Sequence, residues 1–520
     1  MVGSGKMITF AAEMKSWFFK RCMMTAVMLL AVCELAMADD GERVGCLVNW
    51  TPQAFTRDGQ TRGGITDIAY GDRGWDANRT YRQLVVLVSF VDCDFSFENP
   101  QAAYHDIFNT PGYNQREGVG CVADYFRDQS NGMLNLAFDI YGPYKTNSKV
   151  KTGSSSRNEG HSAFREATKM LMEEHPEIDY SVYDWNGDGH VEQVAYVYAG
   201  YCGNQSTIKD EGYVWPTTGS FSSISTKDGH TISRYTASGE LWVGNTSCGI
   251  GIICHEFSHC LGLPDIYPTS GSVDELSVVD EWDLMDGGTG TNYGWCPPNY
   301  SPLEKMIMGW LTPTVLTADT MITDAKTIAE GGEVYLIPRT DDEFFLLENR
   351  QWRGWDYGLP GNGLVVYHVI FSGSTWRSNV VNNVKGRPNY SLVTADGRTF
   401  TDWYNEIITS EVKNPYLDIK RRLNSRILST APYPWVQDGT SVDQVTLFDD
   451  ICITDITTQT DASMSFAFHT SGSGIFHLKA EPRVTGVYTL SGQKLRDFGQ
   501  AFTPLFRGVF IINGKKKIVH

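Results

Sequence analysis

The sequence lacks the features that mark several large classes of protein. Its 520 residues include 43 Lys and Arg against 61 Asp and Glu, a formal charge of −18 at pH 7. A surface of this sign repels phosphate, which argues against nucleic acid as a partner. The 11 cysteines show no repeated CxxC spacing, which excludes a zinc ribbon and a disulfide scaffold. With 41% apolar and 20% charged residues, the chain is a folded protein rather than a disordered one.

Long apolar runs are also scarce. The run near the amino terminus, Met23 to Val32, is shorter than the roughly 20 residues of a membrane-spanning helix. Basic residues precede it and Ala36-Met37-Ala38 follows, which is the pattern of a signal peptide and its cleavage site. We therefore predict a signal peptide within residues 1–38, starting at Met14, and a mature protein that is secreted or held on the outer cell surface. No later segment is apolar enough to span a bilayer.

Two segments follow the signal peptide. Residues 39–82 form a short N-terminal or pro-segment, in which Cys46 either caps a catalytic metal in a latent precursor or is an ordinary cysteine. Residues 83–311 mix strand and helix patterns, which predicts an α/β or α+β domain. The predicted strands are Gln83–Val91, Leu134–Tyr141 and Gln193–Tyr198, and the predicted helices are Cys121–Asp128 and Ser162–Glu174.

The second half of the chain has a different pattern. Residues 312–469 contain short strands such as EVYLIP, EFFLLENR and GLVVYHVIF between Gly, Asn and Asp turns, which predicts a β-rich, sandwich-like domain. Residues 470–520 begin with a flexible linker, Thr470 to Gly474, and end in alternating segments with an Asn513-Gly514 turn. They predict a small C-terminal β-module.

One motif carries the candidate chemistry. In GIGIICHEFSHCLGLPDIY, His255 and His259 are four residues apart, so on a helix both imidazoles project from one face and can share Zn²⁺. Glu256 can reach a water on that metal but is poorly placed to bind the metal itself. Gly262 permits a sharp turn after the helix, which brings Asp265 back as a candidate third ligand. The alternative is a buried helix with two hydrogen-bonded histidines.

Met285, in EWDLMDGG, lies about twenty residues past Asp265. A methionine in a tight turn beneath a metal site forms an apolar floor for the imidazoles rather than a ligand. Simple core packing is the alternative.

A second metal site is indicated by YDWNGDGHVE, whose oxygen ligands suit Ca²⁺. Its spacing resembles the start of an EF-hand loop, but position twelve is Ala195 rather than Glu. This departure leaves a different kind of calcium loop or a plain Asx-rich turn. The candidate calcium ligands are Asp184, Asn186, Asp188 and Glu192.

These motifs together resemble the immune inhibitor A family of secreted bacterial zinc metallopeptidases, which is related to the metzincins. The resemblance runs from Leu84 to Val369 and includes VADYFRDQSNG, YDWNGDGHVEQVAYVYAG, HEFSHCLGLPDIY, WDLMDGG and SPLEKMIMGWL. It implies a metzincin-like zinc peptidase domain, followed here by the β-rich domain and the C-terminal module.

The resemblance also implies roles for individual residues. Metzincins more often have His where this chain has Asp265, and Glu275 or Glu281 could take that place as the third ligand. Tyr293 or Tyr300, after the Met-turn, could donate to an oxyanion, although such tyrosines more often serve packing. The implied roles are zinc ligand for His255, His259 and Asp265, general base for Glu256 and Met-turn residue for Met285.

The last stretch, GVYTLSGQKL through RGVFIINGKKKIVH, resembles the carboxy-terminal sorting or surface-attachment modules common in the Bacteroidetes. It implies secretion machinery as a partner. The alternative is a β-hairpin that finishes the preceding domain.

The function expected is therefore a secreted zinc endopeptidase with protein or peptide substrates, in which Glu256 takes the proton of a metal-activated water. The alternative is a surface adhesin or a glycan- or protein-binding protein. In that case residues 312–469 would bind the ligand through aromatic turns such as Gln351 to Trp355.

Overall fold

The computed structural model describes residues 75–470, together with four short strands nearer the carboxyl terminus. Within 75–470 the gaps are 115–117, 206–207, 271–276, 341, 385, 387, 400–431, 438–439 and 449–450. Several predicted features lie outside the described residues: the signal peptide, Cys46, Glu275, most of the linker Thr470 to Gly474, and the Asn513-Gly514 turn.

A six-stranded sheet forms the centre of the first half. Its strands are β1 (Thr80–Ser89), β2 (Asn135–Lys145), β3 (Val194–Tyr201), β4 (Thr217–Ser225), β5 (Thr231–Trp242) and β6 (Thr246–Ser247). The order is β2-β1-β3-β5-β4, with β6 beside β5. Strands β1, β2, β3 and β5 are parallel, whereas β4 runs antiparallel to β5 and forms an edge of the described sheet.

Strand β1 accounts for the uninterrupted apolar run in the sequence. Leu84 and Val86 point into one core, and Val85 and Leu87 into another, so the strand is buried on both faces. The predicted strand at Gln83–Val91 is thus confirmed, with its start three residues earlier, at Thr80.

Helices cover both faces of this sheet, as a largely parallel sheet requires. The described helices are α1 (Pro100–Asn109), α2 (Val122–Gln129), α3 (His161–Glu174), α4 (Gly251–Cys260), α5 (Pro302–Ile307) and α6 (Gly373–Arg377). Helix α3 packs on one face of the sheet, and α1, α2 and α4 pack on the other. Both predicted helices are confirmed within a residue, and Cys121 caps the start of α2 in a capping box with Asp124.

Two further sheets build the β-rich half. The five-stranded sheet contains β7 (Thr314–Val315), β9 (Tyr335–Pro338), β10 (Glu343–Arg350), β11 (Gly363–Ile370) and β12 (Tyr390–Leu392), in the order β12-β11-β10-β9-β7. The four-stranded sheet contains β8 (Thr320–Ala325), β15 (Val445–Phe448), β16 (Ile451–Thr458) and β17 (Met464–Thr470). A short pair lies apart, β13 (Trp435–Gln437) with β14 (Thr440–Val442).

Near the carboxyl terminus, a third small sheet contains β18 (Gly486–Tyr488), β19 (Lys494–Asp497), β20 (Gly508–Ile512) and β21 (Lys515–Val519). Strands β20 and β21 are antiparallel neighbours, and Ile512 pairs with Lys515.

The core is continuous across residue 311, where the change of pattern predicts a domain boundary. One face of the five-stranded sheet packs on the four-stranded sheet, for example Phe345 in a cluster with Phe466. Its other face joins the core of the first half, where Leu346 belongs to the same cluster as Phe257 of α4. The mixed α/β character is confirmed, whereas the division into domains stays a prediction. Among the described residues, no helix is both long and apolar enough to cross a membrane.

Arg350, on β10, joins the two halves by polar contacts. It is buried and donates to both carboxylate oxygens of Asp356, at 2.8 and 2.6 Å, and to Glu348 at 3.0 Å. It also donates to the main-chain oxygens of Trp282 and Asn299, in the first half of the chain, at 3.5 and 3.3 Å. Burial alone would lower the pKa of Arg350, but the two carboxylates outweigh it and raise the pKa.

Replacing Arg350 with alanine would leave Asp356 and Glu348 buried without their cation, and we expect a loss of about 3–5 kcal/mol in the free energy of unfolding. Arg353→Ala is the matched control, because its pair with Glu330 is exposed; we expect a change below about 1 kcal/mol. Urea denaturation followed by tryptophan fluorescence measures both. Equal effects of the two substitutions would contradict this account of the interface.

Candidate metal centre

Helix α4 and the turn that follows it assemble the candidate ligands. His255 and His259 lie one turn apart on α4 and are buried, with 4% and 0% of their surface exposed. After the helix, Gly262 has a φ of +98°, a conformation that glycine adopts readily and other residues rarely. The chain therefore reverses and returns Asp265, which is fully buried, to the same face of the helix.

Three ligand atoms meet at one point. Oδ1 of Asp265 lies 3.3 Å from Nε2 of His255 and 3.3 Å from Nε2 of His259. Within the described residues, these three are the one group of His, Cys, Asp and Glu side chains whose ligand atoms cluster closely enough for a metal ion. The alternative ligand Glu281, at the 3₁₀ turn Asp280–Trp282, is not part of it.

Hydrogen bonds fix the tautomers of both imidazoles. Nδ1 of His255 donates to the Leu284 carbonyl at 2.9 Å, and Nδ1 of His259 donates to the Leu263 carbonyl at 2.8 Å. A carbonyl oxygen can only accept, so each Nδ1 carries a proton, and in the neutral form of each ring the lone pair of Nε2 faces Asp265. Three acceptors facing one another in a buried site repel unless a proton or a metal cation lies between them.

The electrostatics of the site agree with this arrangement. Burial alone would lower the pKa of His255, but the hydrogen bond with Asp265 and the nearby Glu256 charge outweigh it and raise the pKa to about 9. Burial would raise the pKa of Asp265, whereas the two imidazoles lower it below its usual range. The site thus favours positive charge, which a divalent metal ion can supply in place of a proton.

The second oxygen of Asp265 is held from the β-rich half. Asn379 donates from Nδ2 to Oδ2 of Asp265 at 2.8 Å, and its Oδ1 accepts from the Asp265 N–H at 2.6 Å. The sequence analysis did not find Asn379, which lies 114 residues from its partner.

Glu256 lies beside the first imidazole and is 2% exposed. The hydroxyl of Thr218, on the edge strand β4, is 3.0 Å from Oε2 of Glu256 and 2.7 Å from its main-chain oxygen, and it donates to both. This contact orients the carboxylate from the strand side. Thr218 was also missed from the sequence, since a lone threonine in a strand carries no motif.

Met285 is fully buried, and its role as an apolar floor for the imidazoles stays a prediction. Its carbonyl accepts from the Ile266 N–H and its own N–H donates to Oδ1 of Asp283, both at 2.8 Å. Burial raises the pKa of Asp283 to about 6. Since the preceding carbonyl, at Leu284, holds His255, this turn supports the metal-facing imidazole directly.

The two candidate oxyanion donors, Tyr293 and Tyr300, differ in burial. Tyr300 is fully buried, bonds through its hydroxyl to Ser258 and stacks on Trp310, so it serves packing in this structure. Tyr293 is half-buried and has a φ of +61°. No contact of Tyr293 assigns it a catalytic role, which stays a prediction.

The candidate calcium loop spans residues 184–192 and is closed by its own hydrogen bonds. The carboxylate oxygens of Asp184 accept main-chain N–H groups of residues 187–189, and Nδ2 of Asn186 donates to Asp188 at 3.2 Å. Burial, followed by the charge of Asp188, raises the pKa of Glu192 to about 7. The loop therefore has the geometry of an Asx-rich turn, and calcium binding by it stays a prediction.

In the aromatic turn proposed for ligand binding, Trp355 is buried and Trp352 is half-buried. Trp355 is 5% exposed, contacts the ring of Tyr125 and donates to Asp128 on α2 at 3.0 Å. The half-buried indole of Trp352 donates to the Leu359 carbonyl, within the β-rich half. The contacts of Trp355 therefore join the two halves, whereas that of Trp352 supports its own turn.

Residues 214–309 match the family model of the immune inhibitor A peptidase M6 catalytic domain. The resemblance to the immune inhibitor A family is confirmed. The matched stretch of this metallopeptidase domain contains β4, α4 and the Met-turn. A search of curated proteins found no match.

If the three acceptors hold a metal ion, we expect that ion to stabilise the folded domain that contains residues 214–309. We expect Zn²⁺ added to chelator-treated protein at about 100 times its dissociation constant to add about 2.7 kcal/mol, seen as a higher melting temperature. His259→Ala and Asp265→Asn should lose most of this increase. An increase of the same size in both variants would show that zinc binds elsewhere.

Proposed function

We propose that this chain is a zinc-dependent endopeptidase that is secreted or held on the outer cell surface and hydrolyses extracellular proteins. The observation that carries the proposal is the buried convergence of His255, His259 and Asp265 beside Glu256. The family match supports a metallopeptidase.

The donor set fits Zn²⁺. Two imidazole nitrogens and one carboxylate oxygen are ligands that zinc prefers, and three protein ligands are typical of catalytic sites, which keep a further position for water or substrate. When bound, zinc supplies Lewis acidity that activates water and polarises the scissile carbonyl.

Glu256 is the proposed general base. It takes the proton from the attacking water and then gives it to the nitrogen of the leaving amine, so the carboxylate ends each cycle in its starting state. Thr218 keeps that carboxylate in one orientation through its hydrogen bond to Oε2. A fixed base needs less reorganisation when the proton moves.

The edge strand supports an extended polypeptide as the substrate. In the described sheet, β4 pairs with β5 on one side and leaves its other side to a further partner. An extended peptide can add to such an edge by main-chain hydrogen bonds. Since Thr218 of β4 contacts Glu256, a peptide bound there would lie close to the general base. This arrangement favours cleavage within a chain over removal of a terminal residue.

The export signal supports an extracellular address. A basic region, the apolar run Met23 to Val32 and Ala36-Met37-Ala38 precede the described residues. The C-terminal sheet formed by β18 to β21 is the proposed sorting module, with secretion machinery as its partner. The adhesin alternative receives no support from the aromatic turn, because Trp355 is buried against the first half and Trp352 bonds to the main chain of its own half.

We expect Glu256→Gln to reduce kcat on a casein-derived fluorogenic substrate by about 10²–10⁴-fold, because the amide cannot accept the proton of water. Zinc content, measured by mass spectrometry on the same sample, should not change. Glu281→Gln is the matched control, since Glu281 lies outside the ligand group, and it should keep most of the activity. Full, chelator-sensitive activity of Glu256→Gln would refute the proposed mechanism.

A further inference from the structure

A short stretch of the β-rich half, residues 376–383, lies directly against the loop that carries Asp265. Its side chains bond to main-chain groups of residues 262–270 rather than to solvent. The contacts are Trp376 Nε1 to the Gly262 oxygen at 3.2 Å, Asn382 Nδ2 to the Ile266 oxygen at 2.7 Å, and Asn383 Oδ1 to the N–H groups of Thr269 and Ser270 at 2.8 and 3.1 Å.

Among the hydrogen bonds described for this stretch, that of Asn379 is to the side chain of a candidate metal ligand, Asp265, which lies 114 residues earlier in the chain. Because its Oδ1 accepts the Asp265 N–H, the orientation of the carboxamide is determined, and Nδ2 must face Oδ2 of Asp265. With Oδ2 held in this way, Oδ1 is the oxygen that faces His255 and His259. A carboxylate without that contact could rotate and present either oxygen.

We propose that Asn379 is a positioning residue of the metal centre, which holds Asp265 as a one-oxygen ligand and makes the β-rich half part of the metal site. The inference rests on the proposed function, because it takes the metal to bind at His255, His259 and Asp265. It goes beyond that function by placing a determinant of metal affinity outside the matched residues 214–309.

The backbone of Asn379 limits the choice of substitutions. Its φ is +54°, in the left-handed region where Asn, Asp and Gly are tolerated and most other residues are strained. Asn379→Asp keeps the shape and the acceptor for the Asp265 N–H, but it replaces the amide donor with a second carboxylate oxygen. Asn379→Gly removes the side chain without backbone strain. Asn383→Asp is the matched control, since it changes an amide on the same stretch that does not contact Asp265.

The experiment measures zinc affinity of the full-length protein by competition with a chromogenic chelator, and the melting temperature of each metal-free form. We expect Asn379→Asp and Asn379→Gly to weaken zinc binding by about 10–100-fold. Asn383→Asp should remain within about threefold of the parent. A metal-free melting temperature close to that of the parent would show that the loss is not general unfolding.

The outcomes separate the two proposals. If the parent binds no zinc, the proposed function fails and the role of Asn379 fails with it. If the parent binds zinc and both Asn379 variants bind it within about threefold of the parent, the proposed function stands and the role of Asn379 is refuted. Equal weakening by Asn383→Asp would also refute it, because the effect would then belong to the whole stretch.

A separate observation concerns two buried thiols on either side of β5. The Sγ atoms of Cys202 and Cys248 lie 3.3 Å apart, and both residues are at most 2% exposed. Their N–H groups bond to neighbouring carbonyls of β5, Cys202 to Leu241 and Cys248 to Glu240, each at 3.0 Å. A side chain at Gly239 would meet the Cys202 sulfur at 2.7 Å, so the glycine leaves room for the pair to cross the strand.

We infer that Cys202 and Cys248 form a disulfide that joins the end of β3 to the residues leading into α4. Forming the disulfide removes two protons and two electrons from the two thiols. Glutathione disulfide accepts these protons and electrons by thiol–disulfide exchange and is reduced to two glutathione thiols. Burial raises the pKa of the Cys248 thiol, so the exchange belongs to folding rather than to the finished structure.

The test refolds the reduced full-length protein in a glutathione redox buffer, alkylates the remaining thiols and maps peptides by mass spectrometry. We expect a linked pair of peptides containing Cys202 and Cys248 that disappears on reduction, while buried Cys254 is alkylated. Reduction should lower the melting temperature of the parent by several degrees but not that of a Cys202→Ala, Cys248→Ala variant. Alkylation of both thiols after refolding would refute the disulfide.

Discussion

The repulsion between three lone pairs, on His255, His259 and Asp265, is the constraint around which the centre is built. Each lone pair is directed by a second contact on the far side of its ring or carboxylate. The carbonyls of Leu284 and Leu263 accept hydrogen bonds from Nδ1 of the two imidazoles, so in each neutral ring it is the lone pair of Nε2 that points inward. Because the acceptors are already oriented, little free energy is needed to reorganise them when a cation binds. This preorganisation distinguishes a metal site from an ordinary group of buried polar residues.

The two halves of the described chain depend on one another. Helix α4, the six-stranded sheet and the inner face of the five-stranded sheet contribute residues to one continuous core. Arg350 adds polar contacts across the same boundary, from β10 to Trp282 and Asn299. A change in the β-rich half can therefore alter the metal-facing residues without touching them, because the packing and the hydrogen bonds are shared.

Local patterns predicted what local geometry determines. The four-residue spacing of His255 and His259 defines one helix face, and the apolar run of β1 defines a strand buried on both sides. Thr218 and Asn379 could not be found in this way, since their partners lie 38 and 114 residues away and no periodicity connects them. The sequence pattern changes near residue 311 from mixed helices and strands to short strands. That change does not show whether the two segments share a core, because this depends on which faces of their sheets and helices pack together.

The distance along the chain between Asp265 and Asn379 has a consequence for biosynthesis. A chain is made from its amino terminus, so the whole HExxH helix emerges from the ribosome well before Asn379 does. Until those 114 further residues have been added, the carboxylate lacks the partner that orients it. The geometry of the metal site is thus completed late in synthesis, which delays full assembly of a protein-cleaving centre while the nascent chain is still unfolded and vulnerable.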